Sequence, residues 1–90
     1  MDYSKIFYVV VQVDPVGKAF SIGSWRTRQE AETAKRHAMS DLMNQFPDSW
    51  YGPDEVFIRR VRGDFESIEK TRYDILAVTA PEERDPLSAE

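Results

Sequence analysis

The strongest constraint on the fold is a single helical segment that is marked at both ends. The motif Thr27-Arg28-Gln29-Glu30 matches a capping box. In this motif the threonine hydroxyl accepts a hydrogen bond from a first-turn backbone amide, and the glutamate side chain accepts one from the amide of the cap residue. Pro47 ends the segment because proline disfavours helical geometry at the preceding residue. The sequence therefore predicts a helix over residues 28–45. Its apolar stripe, expected to face the core, consists of Ala31, Ala34, Ala38, Met39, Leu42, Met43 and Phe46.

Two strand patterns precede this helix and predict a β-hairpin. Residues 5–14 place apolar side chains on both faces of the first strand, and residues 18–25 form the second. The motif Asp14-Pro15-Val16-Gly17 is a turn, since proline presets φ at its second position and glycine suits its fourth. A strand that is apolar on both faces is expected to lie inside a sheet, with a helix over one face and the other face partly covered or open to a partner.

The segments after the helix contain weaker strand patterns. Residues 47–54 contain prolines and a glycine and predict a loop that carries Trp50 and Tyr51. Residues 55–62 predict a third strand, which Gly63-Asp64 interrupts, and residues 73–79 predict a fourth. Residues 65–72 fit either a hairpin arm or a loop.

This order of elements, β-β-α-β-β, defines the expected fold. It predicts an α+β domain of two layers, an antiparallel sheet of about four strands with one helix packed on one face. Residues 1–80 form this domain and are close to electrically neutral. Residues 81–90 hold four carboxylates, one arginine and two prolines, and are expected to form a flexible acidic C-terminal tail.

The composition excludes several classes of function. There is no cysteine, which removes disulfides, thiolate metal ligands and a cysteine nucleophile, and His37 is the single histidine. Ser40 lies three residues from His37, but no residue pattern supplies an orienting acid or an oxyanion hole. We therefore expect a protein that is not an enzyme and that has no cofactor and no metal site.

The longest apolar run, residues 6–11, is far shorter than the roughly 20 residues of a membrane span. With no signal-peptide pattern at the N-terminus, a cytoplasmic location without membrane contact is expected.

Two sets of residues are candidates for binding a partner. Trp50 and Tyr51 lie in the predicted loop, and they either anchor a partner or fold back to close the end of a small core. Basic residues gather at the end of the third strand and around the helix start. In one interpretation they bind phosphates or an acidic protein surface. In the other they form ion pairs with nearby carboxylates, chiefly Asp64, Glu66 and Glu69. The strand set is Arg59, Arg60 and Arg62, and the helix-start set is Arg26, Arg28, Lys35 and Arg36.

A local resemblance covers roughly residues 8–38. The run Tyr8-Val9-Val10-Val11, the turn with Gly17-Lys18, and Gly23-Ser24-Trp25 before the capping box together resemble the hairpin-to-helix passage of AP2-type and integrase arm-type DNA-binding domains. Those domains have three strands before the helix and a basic sheet face. Here two strands precede the helix, and the second strand offers Lys18 as its one basic residue.

The whole chain is similar, more loosely, to the small phage-encoded inhibitors of the anti-CRISPR type, because it is short, mildly acidic and lacks enzyme motifs. That resemblance implies a stoichiometric inhibitor that occupies a surface of a host defence complex. The expected function is a non-catalytic protein-binding module, an inhibitor or adaptor, whose partner is a protein or a nucleoprotein complex. The alternative is a nucleic-acid-binding hairpin-helix domain that uses the arginines of the third strand and of the helix start. A homodimer, through an edge strand or the uncovered face of the first strand, is a further expectation.

Overall fold

One helix and five strands make up the part of the chain that the computed structural model describes, residues 4–81. The predicted acidic tail therefore lies, apart from Pro81, outside the described residues. In chain order the elements are β1 Ser4–Val13, β2 Ala19–Trp25, α1 Arg28–Gln45, β3 Ser49–Tyr51, β4 Glu55–Arg62 and β5 Phe65–Pro81. The helix is not long and apolar enough to cross a membrane.

All five strands join one antiparallel sheet in the order β2-β1-β5-β4-β3. The predicted α+β class, with one helix and an antiparallel sheet, is confirmed, but the expectation of about four strands is wrong in detail. The fifth strand is β3, which lies inside the predicted loop and exists because Ser49–Tyr51 pairs with β4. Residues 65–72, which fitted either a hairpin arm or a loop, are the first half of a long β5 that pairs with β4.

The helix begins and ends where the sequence predicts. Thr27 has an extended backbone, its hydroxyl accepts from the Glu30 amide at 3.1 Å, and it donates to the Glu30 carboxylate at 2.9 Å. At the other end Phe46 leaves helical geometry while its amide still donates to the Met43 carbonyl. Both ends depend on short-range hydrogen bonds, which explains why a local motif is sufficient to predict them.

Replacing Thr27 by alanine is expected to lower the free energy of unfolding by about 1 kcal/mol, because the Glu30 amide loses its side-chain acceptor. Urea denaturation measures the change. Thr27→Ser is the matched control, since it keeps the hydroxyl and should stay within a few tenths of a kcal/mol. Equal stability of the alanine and serine variants would show that the cap contributes nothing.

The core lies between α1 and one face of the sheet. Met39 packs there against Val56, Ile58 and Tyr73, with Leu42, Met43 and Phe46 at its margin. The buried helix positions are Ala31, Lys35 and Met39. Most of the predicted stripe is confirmed, since Ala31 and Met39 are buried and Ala38 packs against the core with Leu42, Met43 and Phe46. Ala34 is only half-buried and lies outside that cluster, and the buried line passes through Lys35 instead. A lysine stem can occupy such a line when its ammonium group finds a partner at the edge.

The register of the sheet defines its two faces, because directly paired residues share a face. Val10 pairs with Ile75, and Val56 pairs with Thr71, which places Tyr73 with them under the helix. The alternate residues form the opposite face, called the open face here, over which no element of residues 4–81 packs. The expectation from the doubly apolar first strand is met in this respect, since β1 lies inside the sheet with one face under the helix.

Candidate partner-binding surfaces

The β4–β5 hairpin extends beyond the rest of the sheet. Pairing of β3 with β4 stops at Ile58, and pairing of β1 with β5 stops at Arg72. Residues 59–68, called the arm here, therefore pair with each other along their length and turn at Gly63, whose φ of +61° favours glycine. A backbone hydrogen bond of 2.9 Å from the Arg59 amide to the Asp48 carbonyl holds the base of the arm.

Three large apolar side chains of the arm point into solvent. Phe65 is 83% exposed, Val61 is 66% exposed and Ile68 is 57% exposed. Phe65 lies opposite Arg62 on the helix side of the sheet, whereas Val61 and Ile68 are diagonal neighbours on the side of the open face. Exposed apolar side chains on a protruding element are typical of a protein-binding surface. From the sequence, residues 65–72 fitted either a hairpin arm or a loop, and Phe65 was not named as a candidate binding residue. The position of Phe65 directly after the Gly63-Asp64 turn could have indicated that its side chain lies at the tip of a hairpin.

The arginines of the arm are mostly neutralised by carboxylates of the same chain. Arg59 Nε lies 3.0 Å from Glu66 Oε1, and Arg60 Nε lies 3.0 Å from Glu69 Oε2. The Arg60 guanidinium also lies 4.6 Å from the centroid of the Phe46 ring. These contacts agree with the ion-pair alternative of the sequence analysis, with Glu66 and Glu69 as partners. Among residues 4–81, no ion pair of Arg62 or of Asp64 is found, so the tip of the arm offers one charge of each sign to a partner.

Trp50 and Tyr51, which were expected to act together, lie on opposite faces of β3. Successive residues of a strand point to opposite sides, and this pair follows that rule. Trp50 stacks on Phe57 on the open face, with ring centroids 5.6 Å apart and an interplanar angle of 17°. Tyr51 is exposed on the helix side, at a hollow of about 400 Å³ that Lys35 and Met39 also line. The structure does not join them into one anchor, and neither belongs to the buried core.

The open face is apolar over β1 and the end of β5. The apolar side chains in this part of the face are Phe7, Val9, Val11, Val13, Leu76 and Val78. Leu76 and Val78 are large and exposed, and the β1 residues are half-buried by their neighbours alone. Toward β4 the same face carries charges in ion pairs at 3.0–3.2 Å, which are Arg72 with Asp74, Lys70 with Glu55, and Arg59 with Glu66.

Lys35 was grouped with the basic residues of the helix start, but it lies in the interface between α1 and the sheet. Its ammonium group lies 2.5 Å from Asp54 Oδ1 and 3.4 Å from Glu32 Oε2. Burial alone would lower the pKa of Lys35, but the hydrogen bond and charge of Asp54, together with Glu32, outweigh it and raise the pKa above its ordinary value of 10.5. Lys35 is therefore a structural cation and is not accessible to a phosphate or an acidic partner.

His37 lies on the exposed flank of α1, at a groove of about 670 Å³ between the helix and β2. Trp25, Ile22 and Asp41 line the same groove, and Ser40 does not. No group of three or more metal-ligating side chains occurs among the described residues. The groove thus brings a histidine and an aspartate together without a serine nucleophile.

Comparison with known proteins identifies no family. No protein-family model, curated protein or solved structure matches this chain. The resemblances to DNA-binding hairpin-helix domains and to anti-CRISPR inhibitors stay predictions from the sequence, and the function has to be argued from the surfaces described above.

Proposed function

We propose that this chain is a non-catalytic protein-binding module, an inhibitor or adaptor that inserts its arm into an apolar cleft of a partner protein. The exposure of Phe65 carries the proposal. A phenylalanine side chain that stays in water forgoes about 2–3 kcal/mol of burial free energy, which a partner's cleft would recover. Interfaces concentrate their binding energy in a few such anchors.

The arm is suited to insertion because its backbone is already ordered. Cross-strand pairing runs from Arg59 and Ile68 to the turn, and two arginine–glutamate ion pairs brace its sides. An anchor on a preorganised hairpin loses less conformational entropy on binding than one on a flexible loop. The protrusion of the arm beyond β1 and β3 leaves both of its sides free to contact the walls of a cleft.

The charges of the arm favour a protein over a nucleic acid as the partner. Arg59 and Arg60 already contact Glu66 and Glu69, and the repulsion of these carboxylates disfavours a phosphate at either arginine. Arg62, beside Phe65 at the tip, would meet a carboxylate at the rim of the partner's cleft. An apolar cleft whose rim carries a carboxylate opposite Arg62 and a cation opposite Asp64 is the partner surface that fits this tip.

The proposal is tested by affinity capture of the full chain from a lysate of its source cells, with and without nuclease. Phe65→Ala is compared with Val16→Ala, a matched control because Val16 is 87% exposed in the β1–β2 turn, away from the arm. We expect a protein that survives nuclease treatment, binds the parent chain and the control, and is lost with Phe65→Ala. With that partner purified, the Kd should rise by about 30-fold for Phe65→Ala and stay within about twofold for Val16→Ala.

Two outcomes would overturn the proposal. Capture that is equal for Phe65→Ala and the parent chain would show that the arm is not the anchor. Loss of every captured protein after nuclease treatment, with binding that falls steeply with salt, would favour the nucleic-acid alternative.

A further inference from the structure

We infer that the open face is covered by a second copy of this chain, in a two-fold symmetric dimer with the two sheets packed face to face. The inference uses a surface separate from the tip of the arm and does not rest on the proposed function. Six apolar side chains of β1 and β5 lie on this face with no element of residues 4–81 over them. In water such a continuous patch is unfavourable, and sheets commonly bury it against another sheet about 10 Å away.

The area of the face is comparable with that of a stable dimer interface. At about 3.3 Å per residue and about 4.8 Å between strands, the 37 strand residues outside the arm cover roughly 600 Å² of flat area. A standard interface buries about 800 Å² on each partner. The face outside the arm therefore supplies most of the area of a standard interface without a contribution from the helix.

The charges on the face are also compatible with a second copy. Three ion pairs within the chain lie on this face, namely Arg59 with Glu66, Lys70 with Glu55, and Arg72 with Asp74. These six residues therefore present no concentration of like charge to a second copy, which would otherwise cost several kcal/mol. Lys5, on the same face of β1, and the Arg26 guanidinium, 5.7 Å from the centroid of the Phe7 ring, add two cations at the other end of the face.

Other ways of covering or extending the sheet are less favourable. The outer edge of β2 carries an irregularity where its partner β1 passes from Val10 to Val11, and such bulges discourage the addition of a strand. The other edge strand, β3, has three residues. Residues 82–90 contain Leu87 as their one large apolar residue, too little to cover six apolar side chains. Of the open face and the edges of β2 and β3, the face is therefore the best surface for self-association.

Sedimentation of the full chain over a concentration series tests the dimer. We expect a dimer with a Kd at or below about 10 µM, the weak end of the range that interfaces of this size span. Leu76→Glu should raise that Kd at least about 100-fold, since it places two carboxylates in an apolar interface. The matched control is Ile6→Glu, because Ile6 is 51% exposed and Leu76 is 50% exposed but they lie on opposite faces of the sheet. Val78→Glu repeats the test at a second position, and circular dichroism shows that each variant is folded.

The absence of cysteine allows a direct test of the contact. A Leu76→Cys variant should form an intermolecular disulfide on mild oxidation, because the patch centre lies close to the two-fold axis, and an Ile6→Cys variant should not. A chain that stays monomeric at 1 mM would overturn the inference. A dimer that persists with both Leu76→Glu and Val78→Glu, or preferential cross-linking of Ile6→Cys, would overturn it equally.

Discussion

Replacing Asp54 by alanine is expected to lower the free energy of unfolding by about 2 kcal/mol, whereas replacing Lys35 by methionine should change it by less than about 1 kcal/mol. The asymmetry arises because Lys35 is buried and Asp54 is exposed. Removal of Asp54 leaves an ammonium group in the interface between α1 and the sheet with Glu32, at 3.4 Å, as its remaining carboxylate. Methionine keeps the apolar stem that packs there and removes the charge that needs compensation.

Urea denaturation at neutral pH measures both variants, and their combination completes a double-mutant cycle. In the Lys35→Met background, Asp54→Ala should cost much less than it does alone. Asp48→Ala is the matched control, since Asp48 is an exposed aspartate whose contact with Arg59 is 3.7 Å long, and its effect should stay below about 0.5 kcal/mol. Equal costs for Asp54→Ala in the two backgrounds would show that the pair is not coupled.

Tyr73→Phe is expected to stabilise the protein by about 1 kcal/mol at pH 7. The Tyr73 hydroxyl is buried, and within the described part of the chain it has no hydrogen-bond partner. Its removal therefore relieves a desolvation cost and sacrifices no contact that the structure shows. The ring, which packs against Met39, Val56 and Ile58, stays in place.

The advantage of Tyr73→Phe should grow at alkaline pH. Burial, together with the charge of Asp41, raises the pKa of Tyr73 from 10.0 to about 12. Between pH 10 and pH 12 the unfolded chain releases the phenolic proton of Tyr73, whereas the folded chain keeps it. The contribution of this group to the free energy of unfolding is therefore fully present below pH 10 and is lost as the pH rises toward 12. Above pH 12 the loss is on the order of 3 kcal/mol, and the Tyr73→Phe variant does not suffer it.

Unfolding curves from pH 7 to 11.5 test this difference. Lys35, whose pKa is also raised, loses its contribution above pH 10.5 in both proteins, so the difference between the parent chain and Tyr73→Phe isolates the tyrosine. Tyr51→Phe, at an exposed position, should follow the parent chain throughout. A Tyr73→Phe variant that is less stable at pH 7, or whose curve runs parallel to that of the parent, would contradict the prediction.

The features that the sequence predicted well depend on interactions between near neighbours in the chain. The capping box at Thr27 and the proline at position 47 delimit α1. The first turn is equally local, because the Asp14 carboxylate accepts from the amides of Val16 and Lys18 and Gly17 has a φ of +89°. The doubly apolar β1 also indicated that one of its faces lies under a helix.

The candidate surfaces could be predicted only in part. Ion pairing with Asp64, Glu66 and Glu69 was one alternative that the sequence allowed for the arginines of β4, and the structure pairs Arg59 with Glu66 and Arg60 with Glu69. That Trp50 and Tyr51 lie in a strand, on opposite faces, could not be predicted, since three residues carry no periodicity and β3 exists through its pairing with β4. The exposure of Phe65 depends on where β1 and β3 stop, which is a property of distant segments.

The sequence by itself determined the bounds of the helix, the first hairpin and the α+β class, because hydrogen bonds within a few residues and the alternation of apolar side chains are enough to specify them. The tertiary structure alone decided the fifth strand, the length of the arm, the placement of Lys35 in the core interface and the open face of the sheet. Each of these depends on which strands pair and where the pairing ends. That choice is made by contacts between residues far apart in the chain, which no local pattern records.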